Sequence, residues 1–189
     1  YKRQLNWEPP SHTVTPPVYL VLINPKKNKY VDEDNRRLIA RVAPVCLAYK
    51  LHLWLVDFGI NETPIEFARR IAPSTSIGEG GKNLVKLCEK GRVNISKLEL
   101  PQNIRRRIIC TSQPEASKQK KLDDIIKISK EKTISLIFGI SRRTNKILKN
   151  IRDESFAHLD ITDKRIQLSL DSEIGAVCHS FFDSRKAIS

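Results

Sequence analysis

The side chains best placed to do chemistry are a pair of arginines on a loop. An apolar run at 134–140 breaks at Gly139 and passes into Ser141, Arg142 and Arg143. A loop that follows a buried strand is where open α/β sheets hold their ligands, and two guanidiniums there can clamp a phosphate with several donors at once. Arg105, Arg106 and Arg107 form a second cationic group, at the start of another apolar run. Each arginine that neutralises a phosphate releases counterions, so such a group binds polyanions in a salt-dependent way. The stretch STSIGEGG at 74–81 puts small residues ahead of a helix that starts near Lys82. That setting reads as a backbone cradle for a phosphate, with Lys82 beside it, or as a tight turn that needs glycine. It is not a Walker A loop, because Asn83 follows Gly81-Lys82 where Ser or Thr is required. Asp57, near the end of the run 51–58, either meets a ribose hydroxyl or caps a turn.

Bulk composition narrows the partners. The 189 residues carry 34 basic and 21 acidic side chains, a formal charge of +13, which points to a polyanion: RNA or DNA first, an anionic membrane surface second. No apolar run approaches the roughly 20 residues of a membrane-spanning helix, so the chain is expected to be soluble. Cys46, Cys88, Cys110 and Cys178 are far apart, each inside an apolar pattern, with no CxxC among them. Neither a zinc site nor a disulfide framework is expected; the four read as buried thiols of a cytoplasmic protein.

The elements that must position these groups follow from periodicity. Residues 1–17 hold Pro9, Pro10, Pro16 and Pro17 and are expected to form an extended arm, leaving 18–189 as one domain. The run 18–23 is apolar throughout, as in strands buried on both faces of a parallel sheet. Asp32 or Asp34 starts a helix in which Leu38, Ile39, Val42, Val45, Cys46 and Tyr49 share a face, and Pro44 either kinks it or marks its true beginning. A strand at 51–58, a helix capped by Thr63-Pro64 and a helix at 82–90 closed by Gly91 come next. An extended stretch to Leu100, a strand running to Thr111 with a Ser112-Gln113-Pro114 turn, and a helix at 122–130 follow. The last third reads as strand, loop, helix, a strand at 158–162, a turn, a strand at 165–170 and a helix. That helix lines up Ile174, Val177, Cys178 and Phe181, with Asp171 or Ser172 as N-cap. Alternating strands and helices without a hairpin signature predict an α/β fold with a mostly parallel sheet covered by helices.

The succession LIFG, HLDI and IQLSLDSEIGAV, preceded by IGEGGKNL and TSQP, resembles the SPOUT superfamily of RNA methyltransferases and, within it, an archaeal branch. The likeness runs over roughly 18–182, with its specific motifs in the last third. It implies a SPOUT-like domain with a C-terminal trefoil knot, a homodimer, and S-adenosylmethionine held largely by the backbone of three loops. Mapped onto this chain, the donor-binding positions are Thr111, Phe138, Gly139, Ile140, Leu159, Ile161, Gln167, Leu168 and Leu170. Arg142 becomes the first catalytic candidate and Asp171 the second, either in the cleft or as a helix cap. Arg143, Arg105, Arg106, Arg107 and Lys82 become RNA contacts. Asp160, Asp171 and His158 are each candidates for accepting a proton. Methyl transfer from a sulfonium needs mainly alignment of donor and acceptor, which fits the lack of any conspicuous catalytic dyad. The chain departs from the pattern at one place: after Gly139 it reads Ile-Ser-Arg-Arg-Thr-Asn, without the second glycine usual there. A catalytically silent, knotted RNA-binding protein is therefore the alternative expectation.

Overall fold

The computed structural model of the protein describes residues 15–74, 79–140 and 145–187. Strand β1 (Val18–Ile23) starts at the predicted residue. Helix α1 (Glu33–Ala48) is capped by Asp32, whose carboxylate accepts from the Asn35 amide at 2.9 Å. It continues past Pro44, which is therefore not its beginning. Strand β2 (His52–Val56) leads to α2 (Pro64–Ile71), where Thr63 and Glu66 form a reciprocal capping box with Pro64 at the first turn. A 3-10 turn (Ala72–Ser74) precedes α3 (Gly80–Glu89), which ends ahead of Gly91 at φ +68°. The chain continues through β3 (Val93–Ser96), β4 (Arg107–Cys110), α4 (Leu122–Glu131), β5 (Ile134–Phe138), α5 (Lys146–Asp153), β6 (Ala157–Leu159) and α6 (Leu170–Ala187).

The six strands pair in the order β3-β2-β1-β5-β4-β6, and every pairing is parallel. The α/β class and the helix-covered parallel sheet expected from the sequence are what the chain forms. The first half grows outward from β1 to β3 and the second half lies on the other side, so the order reverses between β1 and β5. Alternation along the strands divides the core. Leu20, Leu22, Leu53, Leu55, Leu136 and Phe138 pack under α1, α2, α3, α4 and α6. Val21, Ile23, Val56, Ile109 and Ile137 face the other way, against α5 and the connection through Leu98, Leu100 and Ile104.

Helix α6 settles beside α1, in the same direction. Arg41 pairs with Asp171 at 3.2 Å, and eight residues further along each helix the Tyr49 hydroxyl meets His179 Nδ1 at 3.0 Å. Its buried face is Ile174, Val177, Cys178 and Phe181, as their spacing predicted. On its other flank Arg185 donates to the Ser129 carbonyl of α4 at 3.1 Å.

Two local expectations fail. Residues 165–170 are not a strand: Asp163 and Arg165 have positive φ, and the amides of Lys164, Arg165 and Ile166 donate to the side chains of Thr162 and Asp160. Backbone donors consumed locally cannot form a ladder. The outer side of β6 is also taken, since the His158 amide donates to Lys118 O and the Lys120 amide to His158 O. Asp171 is not an N-cap, because α6 begins one residue before it.

Candidate active site

In an all-parallel sheet every strand ends along one edge, and the ends of β5, β4 and β6 are neighbours there. Ile109 is level with Ile137 and Cys110 with Leu159, so the next residues, Gly139, Thr111 and Asp160, emerge side by side. The Thr111 amide donates to Leu159 O at 2.9 Å, while its hydroxyl accepts from the Gln113 amide at 3.1 Å. The TSQP turn is thereby folded over the edge. Gly139 has φ +95°, and a Cβ there would stand 2.2 Å from the Ile23 carbonyl oxygen. Only glycine lets the exit of β5 lie directly on the end of β1, at the point where the strand order reverses.

On the β1 side of this point, Asn24 is fully buried. Its amide donates to Asn28 O at 3.0 Å and Asp57 O at 3.1 Å, and its oxygen accepts from the Lys26 amide at 3.0 Å. The loops after β1 and β2 are thus locked together. Lys26 is committed to Asp32 and Asp34, both at 2.7 Å, and these carboxylates raise its pKa to about 12. Beyond lies a cleft of about 950 Å³ bounded by Lys29, Asp57, Asn61, Lys97 and Asn145. A second, of about 610 Å³, opens between Leu159, Asp160 and Ile161 and the start of α4. Asp57 has φ +63° and its backbone N–H donates to Ser96 O, so it shapes the turn while also lining the first cleft.

Of the sequence-derived donor positions, Thr111, Phe138, Gly139 and Leu159 meet at the edge just described. Phe138, Leu159 and Leu170 belong to the helix-rich core, and Ile140 to the core on the opposite face of the sheet. Ile161 is half-buried, Leu168 likewise, and Gln167 is exposed. What these residues offer a ligand is main chain more than side chain.

The candidate proton acceptors are occupied. Asp160 accepts from the Thr162 amide and hydroxyl and from the Arg165 amide at 2.7–3.0 Å. His158 Nδ1 accepts from the Glu115 amide at 3.0 Å, its Nε2 lies 3.3 Å from Arg152 O, and burial pushes its pKa below the usual value. A ring held by an acceptor role at Nδ1 and a carbonyl at Nε2 is a neutral structural histidine. A hydrogen bond from the Ser169 side chain, aided by Arg41, keeps the Asp171 carboxyl below the ordinary range. It is a weak base.

Sequence reasoning missed Asn24 and Arg41. Asn24 precedes Pro25 directly after a strand, a recognisable turn signal. Arg41 had no such signal, since its partner is 130 residues away. Arg105, Arg106 and Arg107 stand at the start of β4, on the amino edge of the sheet and away from these loops. Lys82 lies exposed on α3 with Glu79 at 3.0 Å. Arg142, Arg143 and positions 75–78 of the glycine-rich stretch fall outside the described residues. Among the described residues no group of three or more His, Cys, Asp or Glu could hold a metal ion, and no helix is long and apolar enough to cross a membrane. Cys46, Cys110 and Cys178 are buried and free, and burial lifts the half-buried Cys88 thiol to about 11.

The uncharacterized protein MJ0224 of Methanocaldococcus jannaschii is 33% identical over 158 residues, covering 84% of this chain and 89% of its own. This chain belongs to the same family. No family model matches it. Among solved structures, a probable methylase family protein of Haemophilus influenzae Rd KW20 superposes with a TM-score of 0.54 at 13% identity, over 90% of this chain and 66% of that one, just under two thirds of its length. A candidate RNA methyltransferase of Bacillus anthracis gives 0.53 at 16%, over 89% and 94%. A hypothetical protein gives 0.54 at 10%, over 98% and 73%. At these identities the likeness is one of fold.

Proposed function

We propose that this chain is an S-adenosylmethionine-dependent RNA methyltransferase of the SPOUT type, with the donor at the shared edge of β4, β5 and β6. One observation carries the reading: three strand ends from distant parts of the sequence present Gly139, Thr111 and Asp160 as adjacent main chain. The contact of Gly139 with Ile23 leaves no side chain in the way. Backbone donors and acceptors above the apolar residues Phe138 and Leu159 suit an adenosyl group. The fold likeness to a methylase family protein and a candidate RNA methyltransferase, and the charge of +13, support an RNA substrate.

The donor supplies an activated methyl group on a sulfonium. This chain's own part is to align and to shield. Phe138, Leu159 and Leu170 form the dry floor beneath the three loops, and Asp160 holds the loop 160–166 in shape. The Arg41–Asp171 pair fixes the start of α6 against α1. Arg142 remains the proposed clamp on the acceptor phosphate. A C-terminal trefoil knot is part of the same proposal, and the packing of α6 between α1 and α4 supports it. Homodimerisation is part of the same proposal.

The second reading, a silent RNA binder, is favoured by one observation: Asp160 and His158 are both consumed by structural hydrogen bonds. Calorimetric titration with S-adenosylmethionine tests the choice. Saturable heat with the wild-type chain supports the enzyme, and a flat titration of folded protein removes it. Transfer of labelled methyl from the donor to bulk tRNA or rRNA then reports the activity itself.

A further inference from the structure

We infer that the amino edge of the sheet carries a stacking site for an unpaired nucleotide of an RNA strand. Phe156 is its platform, and Arg105, Arg106, Arg107 and Lys120 are its phosphate contacts. The inference rests on the reading that the substrate is RNA. Phe156 sits just before β6 and is 44% exposed, a large apolar ring left facing solvent. Its amide donates to the Arg107 carbonyl at 2.9 Å. Because Ile108 is level with Ala157, Phe156 and Arg107 lie side by side on the same face of adjoining strands. From the other side comes Lys120, with Nζ 5.5 Å from the ring centroid, its backbone anchored on His158 O.

An aromatic face set among cations is what sequence-tolerant binding of single strands uses. The base stacks on the ring while the charges follow the backbone. None of these charges is neutralised by a carboxylate among the described residues. Among the described residues Arg105, Arg106, Arg107 and Lys120 form no ion pair, whereas Arg37, Arg41, Arg70 and Arg152 each hold a carboxylate. The Arg107 Nε donates to Ile104 O at 3.1 Å, which orients its guanidinium. An apolar partner surface would explain the ring but not the cations around it, so a polyanion with planar groups is the occupant the chemistry favours. From Arg107 to Thr111 is four residues of strand, about 13 Å. A nucleotide on Phe156 would therefore hold the RNA a few nucleotides from the donor loops.

The test is fluorescence anisotropy of the full chain with fluorescein-labelled oligoadenylate and oligouridylate of equal length, at several salt concentrations. Phe156→Ala is expected to weaken oligoadenylate about tenfold, the effect of one lost base stack, without changing the slope of log affinity against log salt. Phe156→Trp should restore affinity. Arg105→Gln with Arg106→Gln should flatten the slope by about 0.7 for each phosphate contact removed. Unchanged affinity in Phe156→Ala, or equal loss in Phe156→Trp, overturns the site; so does an unaltered slope in the arginine double variant. S-adenosylmethionine calorimetry on the same samples separates the readings: RNA bound through Phe156 without donor uptake keeps the stacking site and removes the methyltransferase.

Discussion

The two edges of the sheet are built in opposite ways. On the carboxyl edge, among the described residues, Asn24, Asp160 and Thr111 are spent on shaping loops: Asn24 ties two of them together, Asp160 folds the third, and Thr111 turns the fourth. On the amino edge Arg105, Arg106 and Arg107, with the Lys120 ammonium reaching Phe156 from alongside β6, hold no carboxylate among the described residues. A surface whose side chains are consumed internally can recognise a ligand through its backbone and shape. A surface whose charges are idle recognises by charge. The contrast predicts that substitutions of Asn24, Asp160 and Thr111 act on stability, and those at the second edge on RNA affinity.

The sharpest break would come at Gly139. Alanine there combines φ +95° with a Cβ 2.2 Å from Ile23 O, so urea unfolding should show a loss of about 3 kcal/mol or more. A wild-type midpoint would mean that β5 and β1 do not meet at this point. Next is Asn24→Ala, which leaves carbonyls of two loops without their buried donor. A loss of about 2 kcal/mol is expected in the same assay.

Asp171→Asn should be milder, because the pair with Arg41 is well exposed; about 0.5 kcal/mol at neutral pH is in keeping with surface ion pairs. Its sign with pH is fixed by the lowered carboxyl. The contribution is present above the unfolded-state value and lost as pH falls through the folded one, so wild type and variant should converge once the pH is below the ordinary carboxylate range. Persistence of the gap in acid would assign it to something other than the charge. The smallest effect belongs to Arg105→Gln, within about 0.5 kcal/mol of wild type in unfolding. A larger loss would show that the amino edge is structural after all and erase the distinction between the edges.

Much of this was legible in residue order. The apolar run of β1, the acidic start of α1 at Asp32 or Asp34, the Thr63-Pro64 start of α2 and the buried stripe of α6 are local signals; Asp32 proves to be the cap, and the others appear where their patterns placed them. The run 165–170 misled because its alternation looks like a strand. Alternation describes which side chains share a face, not whether a neighbour exists to receive the hydrogen bonds. With residues 118–120 already against β6, and Thr162 and Asp160 taking its amides, Ile166 is left 55% exposed. The pairing of Arg41 with Asp171 and the meeting of Phe156 with Arg107 were invisible for a related reason: both depend on which strands and helices become neighbours.

The chain by itself determined its α/β class, its segment boundaries to within a few residues and its positive charge, because propensity, capping and burial periodicity act over one or two turns. Only the tertiary structure decided that Gly139 would rest on Ile23, that three loops would share an edge, and that an aromatic ring would stand among idle arginines. Those outcomes are set by strand order, which is selected by how the whole core packs and is written in no single stretch of sequence.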